Sequence, residues 1–390
     1  MSPDVVVIGG GVMGVWTALQ LRLSGRSVLL LDGYGFGHPR ASSGDDTRIL
    51  RSSHGADAFY ARWSREARAV WEAFGQEQRV ELFVQAGTLW FARREAGFEA
   101  ISEATLRGLD IPVEHLSVGE VVHRWPGIRV DDLAWAMYEP ESGLLLARRG
   151  VETVARAARR AGVDLRIAAV RPPEPAAGER LEALTLLDGS RIAAEVFVFA
   201  CGPWLPRLFP DTIGDRIRVT KQNVHYLGPA PGDARWMAPR FPSWVDYETT
   251  FYGIGAVATT GVKVATDSYG PPFDLSAPAD RFVDPEALPP IRDYCRVRFP
   301  DLADAPVVET RVCQYETTED AHFLIDRHPI LDDVWLVGGG SGHAFKHGPV
   351  IGRYVASLLD GHEPTAEEQR FSWTRDRSAL THLRTSAELV

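Results

Sequence analysis

Three glycines near the N-terminus have the spacing G-x-G-x-x-G: Gly9, Gly11 and Gly14. The first allows a tight turn, the second lets backbone N–H groups approach a pyrophosphate, and the third lets a helix pack on a strand. Val12 and Met13 fall at the start of that helix, where unpaired amides and the macrodipole favour an anion. Asp32, eighteen residues past Gly14, is placed to accept a ribose hydroxyl. Together these residues predict a dinucleotide-type site. Arg48 and Arg51, three apart just downstream, suggest a second anion site, although two solvated surface arginines would read the same way. The three cysteines (Cys201, Cys295 and Cys313) cannot form a disulfide framework and lack metal-ligand spacing, so no metal is expected.

The glycines carry this meaning only between a strand and a helix. Val5-Val6-Val7-Ile8 reads as a fully buried parallel strand. Val15, Ala18, Leu19 and Leu23 then recur at helical spacing up to a stop at Gly25, and Val28 to Leu31 is a second apolar strand ending in Asp32. A Gly-, Ser- and Pro-rich loop runs from Gly33 to Asp46. Helices are expected from Ala58 to Phe74, Glu95 to Arg107 and Gly150 to Gly162, with strands between Val80 and Ala92 broken at Gly87. Val163 to Val170 reads as a strand, Asp188-Gly189 as a hairpin turn, and Val196 to Ala200 as a buried strand. The region from Val219 to Val312 is mostly β, with one helix near Pro285 to Phe299. Val334 to Gly338 is the last buried strand, before a helix from Pro349 to Asp360.

The expected fold class is α/β plus β. A Rossmann-like cofactor-binding domain comes from residues 1–79, 146–218 and 320–390, and is interleaved with a mainly antiparallel β-sheet substrate domain from 80–145 and 219–319. Such interleaving is a feature of FAD-type proteins, whereas in NAD dehydrogenases the second domain usually follows the first. A length of 390 residues with 45% hydrophobic side chains allows a large core divided in two. The net charge of −10, without a basic run, argues against nucleic acid. No apolar run approaches a membrane span, and a strand beginning at Val5 leaves no room for a signal peptide, so a cytoplasmic protein is the default.

Six blocks, in order, carry a resemblance over nearly the whole chain. They are the glycine motif with Asp46-Thr47-Arg48-Ile49-Leu50-Arg51, Arg124-Trp125-Pro126-Gly127, Glu139-Pro140-Glu141-Ser142-Gly143, Ala200-Cys201-Gly202-Pro203-Trp204, the run from Val312-Cys313-Gln314-Tyr315 to Ile325-Asp326, and Ser341-Gly342-His343-Ala344-Phe345-Lys346. The chain resembles the monomeric sarcosine oxidase and N-methyl-L-tryptophan oxidase family, within the D-amino-acid-oxidase-like flavoproteins. The resemblance implies a glutathione-reductase-like FAD domain and a thioether between FAD and Cys313; the residue-level alternative for Cys313 is a small buried hydrophobe. It implies FAD contacts from Ser42, Thr47, Arg48, Val170, Gly202, Trp204, Gly340, Gly342, His343 and Lys346. Arg51 and Lys346 match the positions that hold a substrate carboxylate. Lys263 matches a lysine that promotes reaction of the reduced flavin with oxygen; a strand-edge lysine guarding against aggregation is the alternative. Arg48, His343, Tyr315 and Tyr252 match residues near the flavin and pocket.

The chain also departs from that pattern. Asp267 stands where the oxidases of small substrates have a histidine, Ala344 replaces a glycine, and Ser43-Gly44-Asp45 replaces two histidines and a glycine. Sarcosine itself is therefore not expected as substrate. The expected activity is FAD-dependent oxidation of the C–N bond of a carboxylate-bearing amine (N-alkyl, cyclic or other amino acid) by a monomer, giving an imine and hydrogen peroxide. The rival readings are a flavin dehydrogenase or imino-acid ring oxidase of the same fold, and a non-catalytic flavoprotein. On the strand pattern, Asp267 shares a face with Lys263 and either lines the pocket, facing a donor on the far end of the substrate, or pairs with Lys263 or an arginine.

Overall fold

The computed structural model describes residues 2–174 and 180–375, so the end of the last expected segment, 376–390, lies outside the described residues. Val5–Ile8 is buried on both faces, as four β-branched residues in a central parallel strand must be. It pairs in parallel with Val28–Asp32 on one side and Val196–Phe199 on the other. Asp164–Ile167 and Val334–Gly338 extend this sheet in parallel, and Leu324–Arg327 closes one edge antiparallel, giving six strands. Helices Val12–Leu23, Ala147–Ala161 and Gly348–Leu359 pack their apolar residues on one face around Trp16, Val151 and Ile351.

A second sheet of eight strands is antiparallel except where Ser243–Asp246 runs parallel to Thr88–Ala92. Its long strands, Arg218–Leu227 and Val307–Thr317, pair over their whole lengths, and Val262–Thr266 lies on the other side of Arg218–Leu227. A small sheet of Thr47–Leu50, Gly143–Leu146 and Phe83–Val84 holds the two arginines' segment against the body.

Several elements differ from the sequence reading. The strand expected to end at Val312 continues to Thr317, which puts Cys313 and Tyr315 on a rigid ladder. Its polar residues Gln314, Glu316 and Thr317 are buried, and they conceal the alternation by which a strand is normally recognised. The helix expected to end at Phe74 runs from Ala58 to Gln78 and stops at Arg79, which is left-handed at φ 54°. Ala147–Ala161 starts a turn earlier than Gly150, because Arg148 and Arg149 lie on its outer side. Val163 to Val170 is broken after Ile167, and Val170 keeps only a bridge to Leu186.

Candidate active site

The glycine turn divides its labour. Gly9 has φ +111°, and a Cβ there would lie 2.2 Å from Ala200 O; a Cβ on Gly14 would lie 1.8 Å from Gly9 O. Both positions are set by close backbone approach. A Cβ on Gly11 would meet only Ser43 Oγ at 3.5 Å, so its bare face opens outward. It opens into a cavity of about 330 Å³. Of the residues expected to hold the cofactor, Gly9, Gly11, Val12, Met13, Asp32, Ser42, Arg48, Val170, Gly202, Trp204, Cys313, Gly340 and Gly342 line it. Gly14, Thr47, His343 and Lys346 do not, and Gly14 is packed against Gly9 O.

Asp32 is held by three backbone amides. One carboxylate oxygen accepts from the Gly10 amide at 2.7 Å, and the other from Tyr34 and Gly35 at 2.7 and 2.9 Å. It therefore also braces the turn and the loop after its strand. Ser43 Oγ accepts from the Val12 amide at 3.1 Å, which ties the same loop to the helix start.

At the other end of the cavity stand Cys313, Arg48, Tyr315 and Phe345. Arg48 Nη2 is 3.4 Å from Cys313 Sγ, so the sulfur faces a guanidinium. Arg48 also donates to Asp45 at 2.9 Å and to Thr47 O at 2.8 Å. Lys263 is 2% exposed, and its ammonium donates to Asp45 and, at 3.1 Å, to Thr47 O. Asp45 also accepts from Tyr226 Oη at 2.6 Å. Burial alone would raise the Asp45 carboxyl, yet Lys263 and Arg48 hold it well below the usual carboxylate range. Burial pushes Lys263 below its ordinary value despite Asp45. Of the alternatives for Asp267, pairing with Lys263 is not seen: the loop before Thr47 lies against the strand and Lys263 pairs with Asp45.

Asp267 follows the end of Val262–Thr266 and accepts from Tyr315 Oη at 3.1 Å. Its charge acts on Tyr252 and on Lys346, so it stands between the cavity end and a second, cationic region. There, Arg51 lies over the Trp90 ring, 5.2 Å from its centroid, and donates to Ser53 O. Lys346 sits in the short turn Phe345–His347, before the helix, and is 2% exposed. Burial, then Arg51, push its ammonium well below the usual lysine value. Its Nζ has no hydrogen-bond or ion-pair partner among the described residues. A half-buried guanidinium and a buried ammonium thus act on one another, with Glu139 and Asp267 partly offsetting them. His343 Nε2 is 3.0 Å from Ala321 O, and its ring meets Tyr60 edge-on at 4.9 Å.

Sequence reasoning missed Asp45, Tyr226, Glu139 and Glu316. Glu139 accepts from Ser52 N, Ser53 Oγ, Trp90 Nε1 and Ser142 Oγ at 2.6–2.8 Å, and so holds the segment after Arg51 and the ring beneath it. Its only signal was an acid in the Glu139–Gly143 block; Asp45 was marked only by the departure at Ser43–Asp45, and Tyr226, far away in sequence, gave no signal. Three buried histidines, His54, His343 and His347, bring ring nitrogens within 4.8 Å of one another. Burial, then Lys346 and its neighbours, keep His54 and His347 neutral, and the charges of Lys346 and Arg51 oppose a metal ion there.

Among the described residues no helix is long and apolar enough to cross a membrane. The profile of the FAD dependent oxidoreductases matches residues 4–358. Monomeric sarcosine oxidase of Streptomyces avermitilis is 30% identical, over 92% of this chain and 94% of its own. N-methyl-L-tryptophan oxidase of Citrobacter koseri is 25% identical, over 96% and 99%. The fold matches that of fructosamine oxidase from Aspergillus fumigatus with a TM-score of 0.82, at 21% identity, over 98% and 93% of the two chains. With its glycine turn opening into the cavity and Asp32 at the strand end, the chain belongs to the FAD dependent oxidoreductase family, among relatives that include the sarcosine and N-methyltryptophan oxidases.

Proposed function

We propose that the substrate is an amino acid whose carboxylate is held by Arg51 and Lys346, that FAD is attached to Cys313 by a thioether, and that oxygen is the electron acceptor. The protein is an FAD-dependent oxidase of C–N bonds in amino-acid-like amines. The observation that carries the substrate reading is Lys346: a buried ammonium beside a guanidinium, with no ion-pair partner among the described residues. Burial and Arg51 oppose the ammonium and Glu139 and Asp267 offset them only in part, so a ligand of opposite sign would complete it.

FAD held here would supply a two-electron acceptor for oxidation of the amine to an imine, and oxygen would take the two electrons and two protons as hydrogen peroxide. The chain's own residues do the rest. Amides of the Gly9–Gly14 turn other than those of Gly9, Gly10 and Val12, which donate to Leu31, Asp32 and Ser43, would receive the diphosphate. Cys313 supplies the sulfur, and Arg48 beside it offers positive charge where sulfur must carry negative charge. Arg51 clamps the carboxylate with a planar fork and Lys346 adds a point charge. Tyr315 and Tyr252 lie beside Asp267 at the cavity end, and His343 packs on His54. Lys263 supplies a fixed cation for oxygen reduction, oriented by Asp45. Asp267 accepts only, so it favours a substrate with a donor or positive charge distal to its carboxylate.

The test is anaerobic bleaching of the flavin by N-methyl, cyclic, basic and aromatic amino acids, beside the same amines lacking the carboxylate. Bleaching confined to the acids supports the reading. Equal bleaching by the decarboxylated amines overturns the clamp, and no bleaching by any of them overturns the substrate class.

A further inference from the structure

Glu316 is a polar group on the cavity wall that the reaction above does not use. It lies near the end of strand Val307–Thr317 and is 7% exposed. The Gly340 amide donates to its carboxyl, while Oε2 has no hydrogen-bond partner among the described residues. Both neighbouring turns leave the carboxyl room by being glycine. A Cβ on Gly202 would come within 2.7 Å of Oε2, and one on Gly340 within 3.0 Å of Oε1 and 3.6 Å of Met13. The carboxyl is therefore lodged between the Gly202–Trp204 turn, the Gly340 turn and the start of the helix that receives the diphosphate.

We propose that Glu316 is a cofactor-positioning residue, whose protonated carboxyl donates a hydrogen bond to an oxygen of the sugar-phosphate chain of FAD. Its surroundings favour the acid form. Among the described residues no cation contributes to its proton affinity, and the titratable neighbour it acts on is Cys201, which also feels Asp32. Burial pushes the carboxyl up to about 8, with the Gly340 amide opposing. An ionised Glu316 would repel a diphosphate and would be a buried charge without a partner. As an acid it has one O–H to give, and the phosphate and ribityl oxygens are acceptors. The amides of the glycine turn can serve only part of such a chain; Glu316 serves it from the strand of the second sheet.

The inference concerns cofactor binding and stands apart from the substrate reading. The test uses the full chain in a Cys313→Ser background, in which flavin exchanges freely, with FAD titrated by fluorescence quenching. Glu316→Gln keeps a neutral donor and should hold FAD within about twofold of the parent at pH 6.5, whereas Glu316→Leu should weaken it about tenfold or more. A packing role alone predicts that Glu316→Leu lowers the melting temperature of the apoprotein and leaves FAD affinity intact, which overturns the proposal. The parent should lose affinity at least about fivefold between pH 7 and 9.5 as the carboxyl ionises, and Glu316→Gln should stay flat. Should Glu316→Leu fail to fold, this pair of pH profiles still decides: parallel profiles overturn the proposal.

Discussion

Replacing Lys346 by Met keeps a long apolar stem and deletes one charge. In the free protein that charge is buried, repelled by Arg51 and without an ion-pair partner among the described residues. Lys346→Met should therefore melt at or above the wild-type temperature, as when a buried unpaired charge gives way to an apolar group. A carboxylate docked between the two cations loses one charge-assisted contact in the variant. Such a contact is worth about 1.5–3 kcal/mol, or roughly 10- to 160-fold in Kd. The assay is anaerobic titration of the holoenzyme with propionate, a carboxylate that cannot be oxidised at an amine, followed by the shift in flavin absorbance. The pH dependence has a definite sign. Burial, then Arg51, lower the affinity of Lys346 for its proton in the free enzyme, and a bound carboxylate restores it. The complex thus holds more protons than the free enzyme, so wild-type Kd should rise with pH, by up to about tenfold per unit once Lys346 is deprotonated. The variant should lack that dependence. A Kd within about twofold of wild type, or the same pH slope in both proteins, refutes the clamp.

Cys313→Ser should release yellow flavin into the supernatant on acid precipitation, while the wild-type precipitate stays yellow; a colourless wild-type precipitate from yellow holoenzyme removes the thioether. Lys263→Met should slow reoxidation of reduced flavin by oxygen by about tenfold or more, the scale of a lost preorganised charge, and leave anaerobic reduction by substrate much less affected; equal losses in both half-reactions argue against its role. Acid should destabilise the fold in the range where histidines titrate. His54, His322 and His347 are held below their ordinary value by burial, and His322 is lowered to about 4. The unfolded chain takes up protons below about pH 6.5 that the folded chain refuses, so the melting temperature should fall as pH drops from 7 to 5. His347→Phe should flatten that slope, and an unchanged slope would show that these histidines do not govern it.

The cofactor end of the molecule was legible in the sequence because its requirements are local. Gly9, Gly14 and Asp32 belong to one strand–turn–helix–strand unit, and the clashes that forbid a Cβ at Gly9 and Gly14 arise within that unit or against the adjacent strand. A motif of fixed spacing can encode such contacts. The roles proposed for Cys313, Lys346 and Lys263 were suggested only by resemblance of their flanking blocks, since nothing in the pattern of a buried strand distinguishes a functional Lys263 from an edge lysine.

What only the tertiary structure decided is how the charges are shared. Asp45 and Lys263 are 218 positions apart, and no periodicity links them, yet they form one buried pair together with Arg48 and Tyr226. Lys263, one of the partners the sequence offered to Asp267, is taken up by that pair, and Asp267 accepts from Tyr315. Glu316 read as one more polar residue after a strand; its burial, its unpartnered oxygen and its place on the cavity wall exist only once Gly202 and Gly340 are brought beside it. The reason is general. Electrostatic energy depends on distance and dielectric, which are properties of the packed chain. Turn geometry and apolar periodicity depend on neighbours in sequence, and these can be read before the chain folds.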